Sequence, residues 1–155
     1  MMNNISEADI TWMQHAINLA KQAQQQDEVP VGAVIVKDHS IIAQAHNQPI
    51  QSHDATAHAE IVALRQAGKT IENYRLFGNT TLYVTLEPCC MCAGAMIHAR
   101  VSKLVFGAFD PRTGAAGSVF SLLNSEKLNH QVAVVGGVLE NECAELLQRF
   151  FRERR

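Results

Sequence analysis

Two short segments carry residue types that together can hold and use a metal ion: His58-Ala59-Glu60, and Pro88-Cys89-Cys90-Met91-Cys92. Each follows a predicted strand or loop and opens a predicted helix. On a helix, Cys89 and Cys92 stand three positions apart and share a face, so both sulfurs can reach one ion at about 2.3 Å. Helix N-terminal amides favour the thiolate over the thiol there. His58 offers a neutral third ligand from a separate element. Three protein ligands leave a tetrahedral zinc with one open position, which catalytic sites keep and structural sites close. Zinc lowers the pKa of a water in such a position to about 7, and Glu60 is the carboxylate at hand to move protons. Residues two apart on an ideal helix point to opposite sides. His58 and Glu60 therefore converge only if the helix end itself faces the metal.

A structural zinc site is the competing reading, and it needs a fourth ligand. Cys143, His53 and His98 are the candidates, with Cys143 on an apolar helical stripe that suits a core residue better. Cys90 lies between the two proposed ligands, and its spacing to Cys92 is poor for sharing an ion. His15, His39, His46 and His130 read as surface or loop histidines, His46 standing next to Asn47. Gly94, inside the cysteine-bearing helix, costs about 1 kcal/mol relative to Ala. Close approach of a neighbouring helix would explain it, as would loose packing.

The elements that must position these groups follow from local signals. Ser6 and Asp9 resemble a capping box, and Ile10, Met13, Ala16, Ile17, Ala20 and Ala23 keep helical spacing to about Gln26. Val31–Val36 and Ile41–Ala45 predict an antiparallel hairpin about a polar turn at Lys37–Ser40. After a polar loop over 49–54, Ala57–Ala67 predicts a helix that Gly68 ends. Thr81–Thr85 predicts a strand, and Pro88 suits the first position of a helix over about Cys89–His98. Lys103–Phe106 and Val132–Val135 complete five strands. A last helix, about Glu140–Arg152, places Leu139, Cys143, Leu146, Leu147 and Phe150 on one stripe. This order predicts an α/β fold: a mixed five-stranded sheet with helices on both faces.

At 155 residues, without repeats or long linkers, the chain suits a single domain over 1–155. Apolar residues at 47% against 18% charged exclude a disordered chain. A formal charge of -2 excludes a bulk polyanion binder, so nucleic-acid contact requires a local patch. No apolar run spans a bilayer and the polar start, Met1 to Ser6, lacks a signal-peptide layout, so the expectation is a cytoplasmic enzyme with no membrane partner. Four clustered cysteines in a reducing compartment read as metal or redox chemistry rather than a disulfide framework.

The pairing of His-x-Glu with Pro-Cys-x-x-Cys has the spacing used by zinc nucleobase deaminases. Longer stretches narrow this. Glu28-Val-Pro-Val-Gly-Ala33, His46-Asn47, Thr56-Ala-His-Ala-Glu60, Tyr83-Val-Thr-Leu-Glu-Pro-Cys89, Met91-Cys-Ala-Gly94, Phe106-Gly-Ala108, Asp110 and Thr113-Gly-Ala-Ala-Gly-Ser118 resemble the bacterial tRNA-specific adenosine deaminases over nearly the whole chain. That resemblance implies a three-layer α/β/α cytidine-deaminase-like fold, a homodimer, bound Zn2+, and hydrolysis of the wobble adenosine of a tRNA anticodon to inosine, usually in an arginine acceptor. It implies that Asn47 hydrogen-bonds the flipped nucleotide and that Asp110 lies on a loop beside the anticodon bases. Unpaired loop bases are what proteins can splay into a pocket and read. On this reading Met91, Met96 and Ile97 belong to the core or a dimer interface.

The ligand set alone also fits a deaminase of free bases or nucleosides, such as guanine or cytosine. A non-catalytic zinc module that binds RNA is the third reading, and it has no use for Glu60. Arg149, Arg152, Arg154 and Arg155 beside Glu153 form a basic tail, read either as a phosphate-contacting patch or as cations complementing a helix C-terminus.

Overall fold

The computed structural model describes residues 5–154. Helix α1 (Glu7–Gln25) starts where its cap dictates: the Asp9 amide donates to Ser6 Oγ at 3.1 Å, and the Ser6 amide donates to Asp9 Oδ2 at 3.2 Å. Asp9 is itself buried, and its Oδ1 accepts from the Tyr83 hydroxyl at 3.0 Å. Met13, Ala16, Ile17, Ala20 and Ala23 form the buried stripe as predicted. Ile10 does not belong to it and is exposed, because Asp9 takes the inward position at that turn.

Strands β1 (Gly32–Lys37) and β2 (Ser40–His46) form the predicted hairpin. Asp38 and His39 between them have φ of 50° and 66°, the left-handed pair that lets a two-residue turn follow the twist of its strands. There follow α2 (Pro49–Ser52), α3 (Ala59–Ile71), β3 (Thr80–Leu86), α4 (Cys90–Ala99), β4 (Lys103–Ala108), β5 (Ala133–Val135) and α5 (Glu140–Glu153).

Three boundaries differ from the sequence expectations. The polar loop contains the single turn of α2. Helix α3 passes through Gly68 and stops at Ile71, where Glu72 adopts φ 55° and the Asn73 amide returns to the Gly68 carbonyl at 3.0 Å. The backbone reversal is thus made by a glutamate, while Gly68 stays helical. Helix α4 begins at Cys90, with Cys89 as an extended N-cap and Pro88 one residue outside it.

The sheet order is β2-β1-β3-β4-β5, antiparallel across β2-β1-β3 and parallel across β3-β4-β5. Side chains alternate between two cores. Ala33, Ile35, Leu82, Val84, Leu104 and Phe106 face α3 and α4, whereas Val34, Val36, Tyr83 and Val105 face α1 and α5. The result is a three-layer α/β/α sandwich on a mixed five-stranded sheet. Gly94 has open space where a Cβ would stand, so among the described residues no neighbouring helix approaches it closely.

Close approach occurs instead at Gly32, where a Cβ would run into the Ala16 carbonyl and lie 2.6 Å from the Ala20 amide nitrogen. The backbones of α1 and β1 meet there without an intervening side chain. Gly32→Ala should cost about 3 kcal/mol, the upper end for overpacking a core, read as a lowered urea midpoint.

Candidate metal centre and active site

Strand direction gathers the chemistry at one end of the sheet. The parallel strands β3 and β4 end side by side, with Leu86 opposite Ala108. Antiparallel β2 ends beside the start of β1, with His46 opposite Gly32. The segments leaving β2, β3 and β4 therefore emerge together, bringing Asn47, Glu87-Pro88-Cys89 and Phe109-Asp110 to one rim. Helices α3 and α4, stacked on the same sheet face, start from that rim.

His58 and Cys89 are the N-cap residues of α3 and α4, both with extended backbone (φ -67°, ψ 152° and φ -77°, ψ 177°). An N-cap side chain naturally turns toward the third residue of its helix, which for Cys89 is Cys92, and His58 meets that pair from the start of α3. His58 Nδ1 lies 3.7 Å from Cys89 Sγ and 3.5 Å from Cys92 Sγ. A tetrahedral zinc with bonds of about 2.3 Å to sulfur and 2.0–2.1 Å to nitrogen requires ligand separations of about 3.6 Å. The group fits that ion. All three donor atoms lie within 4.8 Å of one another, and among the described residues no fourth His, Cys, Asp or Glu joins them.

The electrostatics carry the same signature. Hydrogen bonds from the Cys92 thiol and from His58 hold Cys89 down to about 3. The Cys92 thiol is driven far above its ordinary value by its hydrogen bond to Cys89 and by burial. His58 is raised, chiefly by its hydrogen bond to Cys89. Two adjacent sulfurs cannot both ionise without a cation, and a divalent ion supplies that charge. Glu60, second residue of α3, is buried, and burial raises its carboxyl. The charge of Glu60 nearby is among the causes that push the Cys92 thiol up. Because His58 sits outside the helix, the two-residue spacing to Glu60 no longer separates them.

The other expected residues fall into place unevenly. Asn47 is nearly buried at the rim, its amide donating to the Val31 carbonyl at 2.9 Å. Asp110 spends its carboxylate on its own loop, with Oδ1 accepting from the Arg112 and Thr113 amides and Oδ2 from the Thr113 hydroxyl. Cys143 belongs to the core on the opposite sheet face, where burial pushes its thiol up to about 12. Cys90 is exposed and outside the donor group. Met96 and Ile97 are core residues, whereas Met91 is exposed. In the basic tail Arg149 pairs with Glu145 at 2.6 Å, and Arg154 pairs with Asp27 at 2.8 Å while covering the Phe150 ring; Arg155 lies outside the described residues.

Two buried acids, Glu28 and Glu87, were not singled out by sequence reasoning. Glu28 accepts from the Ile50 and Gln51 amides at 3.2 and 2.8 Å, tying down α2 just after Asn47. Glu87 accepts from the amides of Asp110, Ala116 and Ser118. Their sequence signal is indirect: Glu28 opens one of the family-like stretches, and Glu87 stands beside Pro88 in another.

A model of the cytidine and deoxycytidylate deaminase zinc-binding region matches residues 6–108. The tRNA-specific adenosine deaminase of Haemophilus influenzae is 52% identical over 151 residues, spanning 97% of this chain and 87% of that protein. The Bacillus subtilis tRNA-specific adenosine deaminase is 51% identical over 147 residues, with coverage of 95% and 91%. A solved structure from a study of A-to-I editing by tRNA:A34 deaminases superposes with a TM-score of 0.85 at 42% identity, covering 88% of this chain and 99% of that one. The chain therefore belongs to the cytidine and deoxycytidylate deaminase family of zinc-binding enzymes, within its branch of bacterial tRNA-specific adenosine deaminases.

Proposed function

We propose that the chain is one zinc-dependent deaminase domain that converts the wobble adenosine of a tRNA anticodon to inosine, with release of ammonia. The observation that carries this reading is the buried Glu60 beside a three-donor metal group, in a chain about half identical to tRNA-specific adenosine deaminases along nearly its whole length. His58, Cys89 and Cys92 hold the ion. Bound zinc supplies the Lewis acidity that makes water nucleophilic at neutral pH. Glu60 takes one proton from the attacking water and passes it to N1 of the adenine, then takes the second from the hydroxyl now on C6 and gives it to the departing amine, so that the C6–N bond breaks as the C6 carbonyl forms and ammonia leaves. Its raised affinity for protons suits that shuttle.

Asn47 hydrogen-bonds the flipped nucleotide at the rim, and Asp110 shapes the loop beside the neighbouring anticodon bases. Next to that loop runs an apolar groove of about 790 Å³, lined by Val29, Leu86, Phe109, Pro111, Phe151 and Arg154. Exposed rings with a guanidinium at their edge offer the stacking surfaces on which splayed bases rest. A second groove, about 840 Å³ between α3 and α4, is lined by Ile61, Leu64, Tyr74, Ala95 and Ala99, and a second copy of the chain is the partner that covers it. The setting is the cytoplasm, where reducing conditions keep the free cysteines as thiols. Among the described residues no helix is long and apolar enough to cross a membrane.

Three outcomes are expected. Cys89→Ser should lose most of its zinc while Cys90→Ser retains about one ion per chain, measured by metal analysis after gel filtration. Glu60→Ala should keep zinc and fold yet lose about 10²–10⁴ in turnover; activity within about tenfold of wild type would remove Glu60 from the role. Ammonia should be released from an anticodon stem-loop and not from free nucleosides. Release from nucleosides alone would reassign the enzyme to free bases.

A further inference from the structure

We infer that Glu87 is a positioning residue: its carboxylate locks the loop over 110–118 to the metal-ligand turn and so sets where the substrate RNA rests. The inference rests on the reading that the substrate is an anticodon loop.

Glu87 is buried, and no cationic side chain partners it among the described residues. Its charge is met by four donors from one loop: the Asp110 amide at 3.0 Å and the Ser118 hydroxyl on Oε1, the Ala116 amide at 3.0 Å and the Ser118 amide at 3.1 Å on Oε2. Charge-assisted bonds to a carboxylate are about twice as strong as neutral ones. The loop closes over the carboxylate so tightly that a Cβ at Gly114 would stand 2.5 Å from both of its oxygens. The flanking backbone repeats the connection. The Glu87 amide donates to the Ala108 carbonyl at 2.8 Å, and the Ala115 amide donates to the Pro88 carbonyl at 2.8 Å. The next residue is Cys89, whose sulfur belongs to the metal group.

One rigid segment, Glu87-Pro88-Cys89, thus holds the metal-ligand sulfur at one end and the loop carrying Phe109, Asp110 and Pro111 at the other. Asp110 and Pro111 line the groove beside the site. The fixed quantity is the offset between the reacting centre and the surface that receives the neighbouring bases. A gap of that kind governs binding of the long substrate more than the chemical step, since the proton-moving group and the ligands lie outside the loop.

Glu87→Gln keeps the shape but turns one acceptor into a donor facing donors. Gly114→Ala pushes a methyl group against the same carboxylate. With zinc at one equivalent, each should raise KM for the anticodon stem-loop by about tenfold or more while kcat changes by less than about threefold. Hydrogen exchange should quicken in 110–118 and stay unchanged in α3. Because both variants break one contact, the double variant should be no worse than the poorer single one. Ser118→Ala, which removes one donor and fills no space, should show the same split more weakly and covers the case in which Glu87→Gln does not fold. Zinc loss with collapse of kcat, unchanged KM, or multiplicative effects in the double variant would each overturn the inference. Failure of the wild-type zinc protein to act on the stem-loop would instead strike the functional reading, and the exchange data would still decide whether Glu87 holds the loop.

Discussion

Two helix starts meet at one point, and the rest of the molecule is arranged around keeping them there. His58 and Cys89 are both N-cap residues, so each has left helical geometry while its neighbours have not. That half-in position lets Cys89 fold toward Cys92 and puts the buried Glu60 at the same helix end as His58. Caps usually satisfy amides with a hydroxyl or carboxylate. Here the cap positions carry metal-type ligands, and the cation they require substitutes for the usual partner.

The sheet makes this convergence cheap. Parallel β3 and β4 end together, and the antiparallel hairpin returns β2 to the same rim. Loops leaving three strands are therefore neighbours without long connections, the arrangement that places ligand sites at strand ends in open α/β sheets. Two buried carboxylates finish the rim, Glu28 beneath the segment after Asn47 and Glu87 beneath the segment after Ala108. Each fixes a loop mainly through main-chain amides, with the Ser118 hydroxyl added at Glu87.

Much of this was legible in the sequence, for identifiable reasons. The donor triad and the capping box are marked by residue type and spacing, and the strands by β-branched runs. Helix ends were read less well. Gly68 signals a stop, but the left-handed residue is Glu72, whose reversal is fixed by hydrogen bonds from later residues. Pro88 signals a helix start, but the extended Cys89 delays it by one residue. Helix α2 is a single turn, too short for any periodicity. Glu28 and Glu87 were legible only as members of family-like stretches, and their loop-fixing contacts were not, because the partners are amides of unrelated residue types up to 31 positions away. The pairing of Arg154 with Asp27 was illegible for a similar reason, since the two stand 127 positions apart.

The central claim is the coordination of the metal by one nitrogen and two sulfurs, with a place left for solvent. X-ray absorption at the zinc edge of the purified protein tests it directly. The expected shell holds two sulfurs at about 2.3 Å and two nitrogen or oxygen atoms at about 2.0–2.1 Å, one light atom exchanging when a small anion is added. Three or four sulfurs in the shell, or a light-atom shell indifferent to added ligand, would mean a closed structural site and contradict the account.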